Sequence, residues 1–164
     1  MPSLNDVNFH QAVVYIEEHN EDGAIGIIIN KPIELSVEKL LSHLDIEASP
    51  KLTRDQKIYM GGPVAQDQGF VLHETNDHQL EISTSKETLT KIGDGTGPKE
   101  FIITLGYSGW QPGQLEKEII NNDWLIAPYS ADIILRTPSE DRWKLAAKTL
   151  GIDINHLSNQ DGHA

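Results

Sequence analysis

The run FIITLGYSGWQPGQLEKEII (101–120) reads as a buried strand turning into a helix, with G-Y-S-G-W at the bend. That pentad falls one residue short of the G-x-S-x-G turn that exposes the nucleophile of serine hydrolases. Such an elbow needs small residues on both sides of the serine, because strand and helix pack tightly across it. Here Trp110 occupies the second glycine position and Gly109 is misplaced. The helix of an elbow also begins at its serine and aims its positive end at the oxyanion. This helix cannot begin before Pro112. Ser108 is therefore expected to be a turn residue. The alternative is a hydrolase using Ser108 with a histidine such as His73, which requires an imidazole within hydrogen-bond reach of the hydroxyl.

Two other patterns invite chemistry. GDGTGPKE (93–100) is glycine-rich, but it leads from a predicted helix into a strand and lacks the G-K-[ST] ending. Phosphate loops have the reverse polarity, so a helix stop and turn are expected here. The seven histidines are His10, His19, His43, His73, His78, His156 and His163. They form neither an H-x-x-x-H pair nor an H-E-x-x-H element, and the acidic runs do not match a calcium loop. No metal or cofactor is expected.

What remains is a set of glycine-bearing strand ends beside polar and aromatic groups. These are Asn30 and Lys31, then Gly61, Gly62 and Pro63, then Gly106, Tyr107, Ser108, Gly109 and Trp110. Glycine permits positive φ or close backbone approach. The ten residues are the candidate binding surface, with the aromatics as its walls. Replacing Tyr107 and Trp110 with Ala is expected to abolish partner capture and leave the fold intact.

The elements that would position them follow from periodicity. QAVVYIEEH (11–19) and AIGIIINK (24–31) form a hairpin around Asn20-Glu21-Asp22-Gly23, the second strand buried on both faces. Ser36 caps a helix whose stripe is Val37, Leu40, Leu41 and Leu44, and Pro50 and the charged TRDQ stretch separate it from the strand KIYM. GFVLHE (69–74) and LEISTS (80–85) pair antiparallel; Thr84 and Glu87 then open a short helix that Gly93 ends. Leu115, Ile119 and Ile120 face inward from the helix after Pro112, and WLIAPY (124–129) is a last strand. A helical turn spans 132–135. Thr137 caps the final helix with Pro138 at N1 and Glu140 closing the box. Its stripe is Trp143, Ala146, Ala147 and Leu150, and Gly151 stops it.

The 164 residues make one α+β domain over 1–154, followed by a polar tail over 155–164. Net charge is −12, from 13 basic against 25 acidic residues, and no basic cluster interrupts it. A surface of that sign repels phosphate backbones, which disfavours direct nucleic-acid binding. The chain lacks cysteine, an apolar run long enough to span a membrane, and a signal-like N-terminus, so a cytoplasmic location is expected.

Several long segments, in order, resemble the YqgE/AlgH family of small bacterial proteins. They are MPSLNDVNFHQAVVYIEEHNEDGAIGIIINKP, YMGGPVAQDQGFVLHE, TLGYSGWQPGQLEKEI, NDWLIAP and TPSEDRWKLAAKTLGID. The resemblance implies a bent mixed, largely antiparallel sheet folded into a pseudo-barrel with flanking helices. It supplies no catalytic residues or cofactor, only a transcriptional-regulator label attached to one branch. Family members usually begin about a dozen residues earlier with an apolar segment. A first strand is therefore expected to be missing, leaving an unpaired sheet edge or an exposed groove across which a homodimer could form. The expected function is non-enzymatic binding of a protein partner or small ligand.

Overall fold

The computed structural model describes residues 6–50 and 56–154. Most of the TRDQ stretch, the tail over 155–164, His156, His163 and Met1 lie outside the described residues. Strand β1 (Val14–Asn20) turns through Glu21 and Asp22 into β2 (Gly23–Ile28), as the hairpin pattern predicts. Then follow β3 (Pro32–Ser36), α1 (Val37–His43), β4 (Lys57–Met60), β5 (Val64–Glu74) and β6 (Leu80–Ser83). The chain continues through α2 (Lys86–Asp94), β7 (Phe101–Trp110), α3 (Gln114–Ile120), α4 (Ala131–Leu135) and α5 (Ser139–Thr149).

The seven strands form one mixed sheet with the path β1-β2-β7-β4-β3, while β5 lies against β7 and carries β6. Among the described residues only the β4–β7 pairing is parallel. The sheet is bent but not closed, so the architecture is α+β without a barrel seam. Among the described residues β1 pairs with β2 alone, and its outer edge is open.

Strand β7 is the spine. Its alternation sends Phe101 and Ile103 to one face, under Val37 and Leu41 of α1 and Leu89 and Ile92 of α2. Ile102 goes to the other face with Ile27, Ile29, Tyr59, Leu72 and Ile134 of α4. Helices thus cover both faces, which explains why FIIT is apolar without alternation. Local signals fix the helix starts: Ser36 Oγ accepts from the Lys39 amide, a cap typically worth about 1 kcal/mol.

The structure corrects several expected details. The pentad G-Y-S-G-W is not the bend between strand and helix, because β7 continues through it to Trp110. The cap of α2 is Ser85, whose Oγ accepts from the Thr88 amide, and not Thr84. Gly93 is buried inside α2 against Ile46, and the left-handed stop is Gly95 at φ +83°. Pro138, not Thr137, occupies the N-cap of α5; the Thr137 hydroxyl instead donates to the Asp132 carbonyl at 2.9 Å. Ile120 is 77% exposed, so only Leu115 of α3 is buried. WLIAPY forms no strand at all.

Candidate functional site

The ten predicted residues separate into three groups. Gly61, Gly62, Gly106, Tyr107 and Ser108 meet where β4, β5 and β7 cross. A Cβ on Gly61 would stand 2.3 Å from the Gly106 carbonyl oxygen, and one on Gly106 would stand 2.4 Å from that of Gly62. These glycines exist so that backbones can touch. Gly61, Gly62, Gly106 and Ser108 are buried, and Pro63 is exposed beside them. The Ser108 hydroxyl donates to the Gly61 carbonyl at 3.1 Å, the same oxygen that accepts from the Ile28 amide at 2.8 Å. His73 pairs with Phe101, seven residues back along β7 and thus roughly 20 Å away. It is no partner for Ser108.

Asn30 and Lys31 form the second group. The Asn30 side chain accepts from the Val13 amide at 2.8 Å and donates to the Gln11 carbonyl at 2.9 Å, acting as a surrogate strand for that segment. The Lys31 ammonium donates to the His10 carbonyl, and its partial burial pulls its pKa below the usual lysine value. Both residues fasten the approach to β1.

Trp110, the third group, opens onto the site that sequence reading largely missed. Beside β1 lies an apolar cavity of about 520 Å³, walled by β1, α3, the 124–130 segment, α4 and α5. All three tryptophans of the chain, Trp110, Trp124 and Trp143, line it. Trp110 and Trp124 approach edge to face at 5.8 Å, and Phe9 packs against Trp124 at 5.5 Å. Both indoles donate to one oxygen of Glu118, at 2.9 and 2.8 Å, which locks their orientation. Because Trp110 is 7% exposed, its replacement by Ala leaves a core void, contrary to the expectation of an intact fold.

The rim is unusually apolar. Ile126 is 70% exposed, Tyr129 58% and Leu125 44%. Tyr15 lines the cavity. Burial first, then the charge and hydrogen-bonding pull of nearby Glu17, then Tyr129, push its phenol up to about 12. On the opposite side of the hairpin a second, shallower hollow is lined by Tyr107, Gly109 and Trp110 with Glu18 and Asp22. Among the described residues no group of three or more His, Cys, Asp or Glu side chains has metal-binding geometry. No helix there is long and apolar enough to cross a membrane.

The signal that could have located the cavity was the spacing of Trp124, Leu125, Ile126 and Tyr129 against the α5 stripe. Both segments are apolar on the side facing β1, yet WLIAPY reads locally as an ordinary strand.

Comparison with known proteins agrees with this architecture. The AlgH-like family model matches residues 1–155. A UPF0301 protein of Coxiella burnetii is 46% identical over 167 residues, covering the whole chain and 92% of the relative. One from Sodalis glossinidius is 46% identical over 177 residues, covering the whole chain and 95% of the relative. The solution structure of AlgH from Pseudomonas aeruginosa superposes with a TM-score of 0.78 at 42% identity, across the whole chain and 92% of that protein. A crystal structure from Corynebacterium diphtheriae shares the fold, with a TM-score of 0.71 at 23% identity over 90% of this chain and 82% of that one. The chain belongs to the AlgH-like family.

Proposed function

We propose that this protein works by binding, as a cytoplasmic regulator acting through a partner, and that the apolar groove beside β1 is its contact surface. One observation carries the reading: the three tryptophans converge on a cavity of about 520 Å³ whose rim exposes Leu125, Ile126 and Tyr129. That volume lies within the range of ligand sites, and contiguous exposed apolar surface of this kind marks interaction sites. Burying a fully exposed Leu or Ile side chain gains about 1.5–3 kcal/mol, so leaving this rim wet forgoes stability that an occupant would recover. Trp110 is kept from the sequence-derived surface, while the buried glycine crossing serves the architecture behind it.

The test uses the neutral dye Nile red, with the tryptophans as internal reporters. The wild-type chain is expected to take up the dye and lose tryptophan emission in parallel. Ile126→Asp, at an exposed position, is expected to weaken uptake several-fold without lowering the melting temperature. A folded wild-type protein that ignores the dye, or an Ile126→Asp variant that binds it equally well, would remove the groove from consideration.

A further inference from the structure

Consecutive residues from Val13 to Ile16 all line the same cavity. In a strand, neighbouring side chains point to opposite faces. Val13 and Tyr15 indeed pack with the Ile27–Ile134 cluster, whereas Val14 and Ile16 pack with Trp110 and Leu115. A cavity touched by both faces of a strand lies against its edge.

The backbone agrees. Val13 turns both its groups toward β2, its carbonyl accepting from the Ile29 amide and its amide donating to the Asn30 side chain. Alternation along the strand then directs the amides and carbonyls of Val14 and Ile16 outward, to the cavity. The cross-strand partner of Val14 is Ile28, whose amide donates away from β1 to Gly61, as this register requires. Across the cavity, the backbone of 125–129 makes no hydrogen bond to other described residues. Among the described residues, the outward peptide groups of Val14 and Ile16 and the backbone of 125–129 thus face each other over an apolar gap without backbone partners. Outward-facing peptide groups on a strand edge are a template for another strand, so an occupant that supplies backbone partners is favoured there over a featureless apolar ligand.

We propose that the groove is a strand-addition site, which takes an extended apolar segment of a partner protein antiparallel to β1. This deepens the binding function proposed above and rests on it. Charge specifies the segment further. Tyr15 lines the groove, and the nearby Glu17 carboxylate has no salt bridge among the described residues, in a chain of net charge −12. An antiparallel segment places its N-terminal end beside Glu17, so a basic residue belongs at that end. A second copy of this chain fits poorly, because an edge strand brings its sheet along, and 125–130 and α5 wall the groove. Two bodies of charge −12 also repel.

The probe is an acetylated, amidated hexapeptide of alternating valine and threonine with lysine at its N-terminal end. It is expected to displace Nile red and to slow hydrogen exchange at the Val14 and Ile16 amides. N-methylation of the alternate amides that face β1 is expected to weaken it by about tenfold or more, the scale of lost backbone hydrogen bonds. Moving the lysine to the C-terminal end is expected to cost roughly two- to fivefold, as for exposed ion pairs. If the methylated peptide competes equally well, or no peptide displaces a dye that still binds, strand addition falls and the binding groove stands. A dye that never binds removes both. Concentration-dependent dimerisation that excludes the dye would assign the groove to a second copy and overturn the proposal.

Discussion

Ser108 illustrates how little a motif decides without its surroundings. Its hydroxyl is fully buried and donates to the Gly61 carbonyl, which keeps a second donor in the Ile28 amide. Ser108→Ala therefore leaves that carbonyl satisfied, and chemical denaturation should register a loss of only about 1 kcal/mol. Labelling of the wild type by a serine-directed phosphonate, lost in Ser108→Ala, would instead restore the hydrolase reading. Tyr15 offers a second residue-level test. Its phenol is raised to about 12 from the ordinary tyrosine value of 10.0. A raised folded-state pKa means that the neutral form is favoured on folding. The stabilisation it contributes is complete below pH 10 and is lost as pH climbs from 10 through 12. Ultraviolet titration should show one of the four tyrosines ionising late, and Tyr15→Phe should abolish that phase. Co-titration of Tyr15 with an exposed tyrosine would refute the burial and the Glu17 charge that hold its phenol neutral.

At the scale of elements, β7 holds the molecule together by changing partners along its length. From Phe101 to Tyr107 it pairs with β5, and from Ser108 to Trp110 with β2. Just before the changeover stands Gly106 at φ +76°, opposite an irregular stretch of β5. An alanine there meets the Gly62 carbonyl oxygen at 2.4 Å and takes up a left-handed backbone. Gly106→Ala should cost more than about 3 kcal/mol, read as a collapse of the melting temperature, whereas Gly113→Ala, equally left-handed at φ +74° but with open space around its Cβ, should cost far less. Much of this frame was legible in the sequence. The Asn20–Gly23 turn, the Ser36 cap, FIIT as a doubly covered strand and the Gly151 stop each rest on local chemistry, and each is found. What misled was context. WLIAPY has strand composition but pairs with no backbone among the described residues, and a strand is defined by its partner. Gly93 reads as a stop, yet Ile46 and the Glu47 carbonyl press so close that only glycine fits inside the helix there. The cavity was illegible because its walls come from β1, α3, α4 and α5, segments that converge only after folding. Trp110 alone connected the predicted surface to it.

Charge acts on the molecule as a whole. A net charge of −12 on 164 residues pushes the compact state apart, because folding concentrates carboxylates that the unfolded chain holds at a distance. Local pairs oppose this. Arg136 gathers Asp132, Glu74 and Glu100 at 2.7, 3.1 and 3.0 Å, joining α4 to the end of β5 and to the approach to β7. His19 meets Glu116 at 2.8 Å, joining β1 to α3. Both clusters are substantially exposed, and exposed pairs contribute little individually. The Debye length shortens from about 30 Å at 0.01 M salt to about 8 Å at 0.15 M, so added salt screens long-range repulsion more than contact pairs. The melting temperature is therefore expected to rise by a few degrees over that interval in sodium chloride. Arg136→Met, which leaves three carboxylates facing one another, should melt lower at low salt and recover most of the difference at 0.15 M. A wild-type melting temperature that falls with salt would mean that the paired clusters outweigh the net charge. The same screening should weaken the peptide with lysine beside Glu17 while leaving Nile red uptake unchanged, which separates the electrostatic part of recognition from the apolar part.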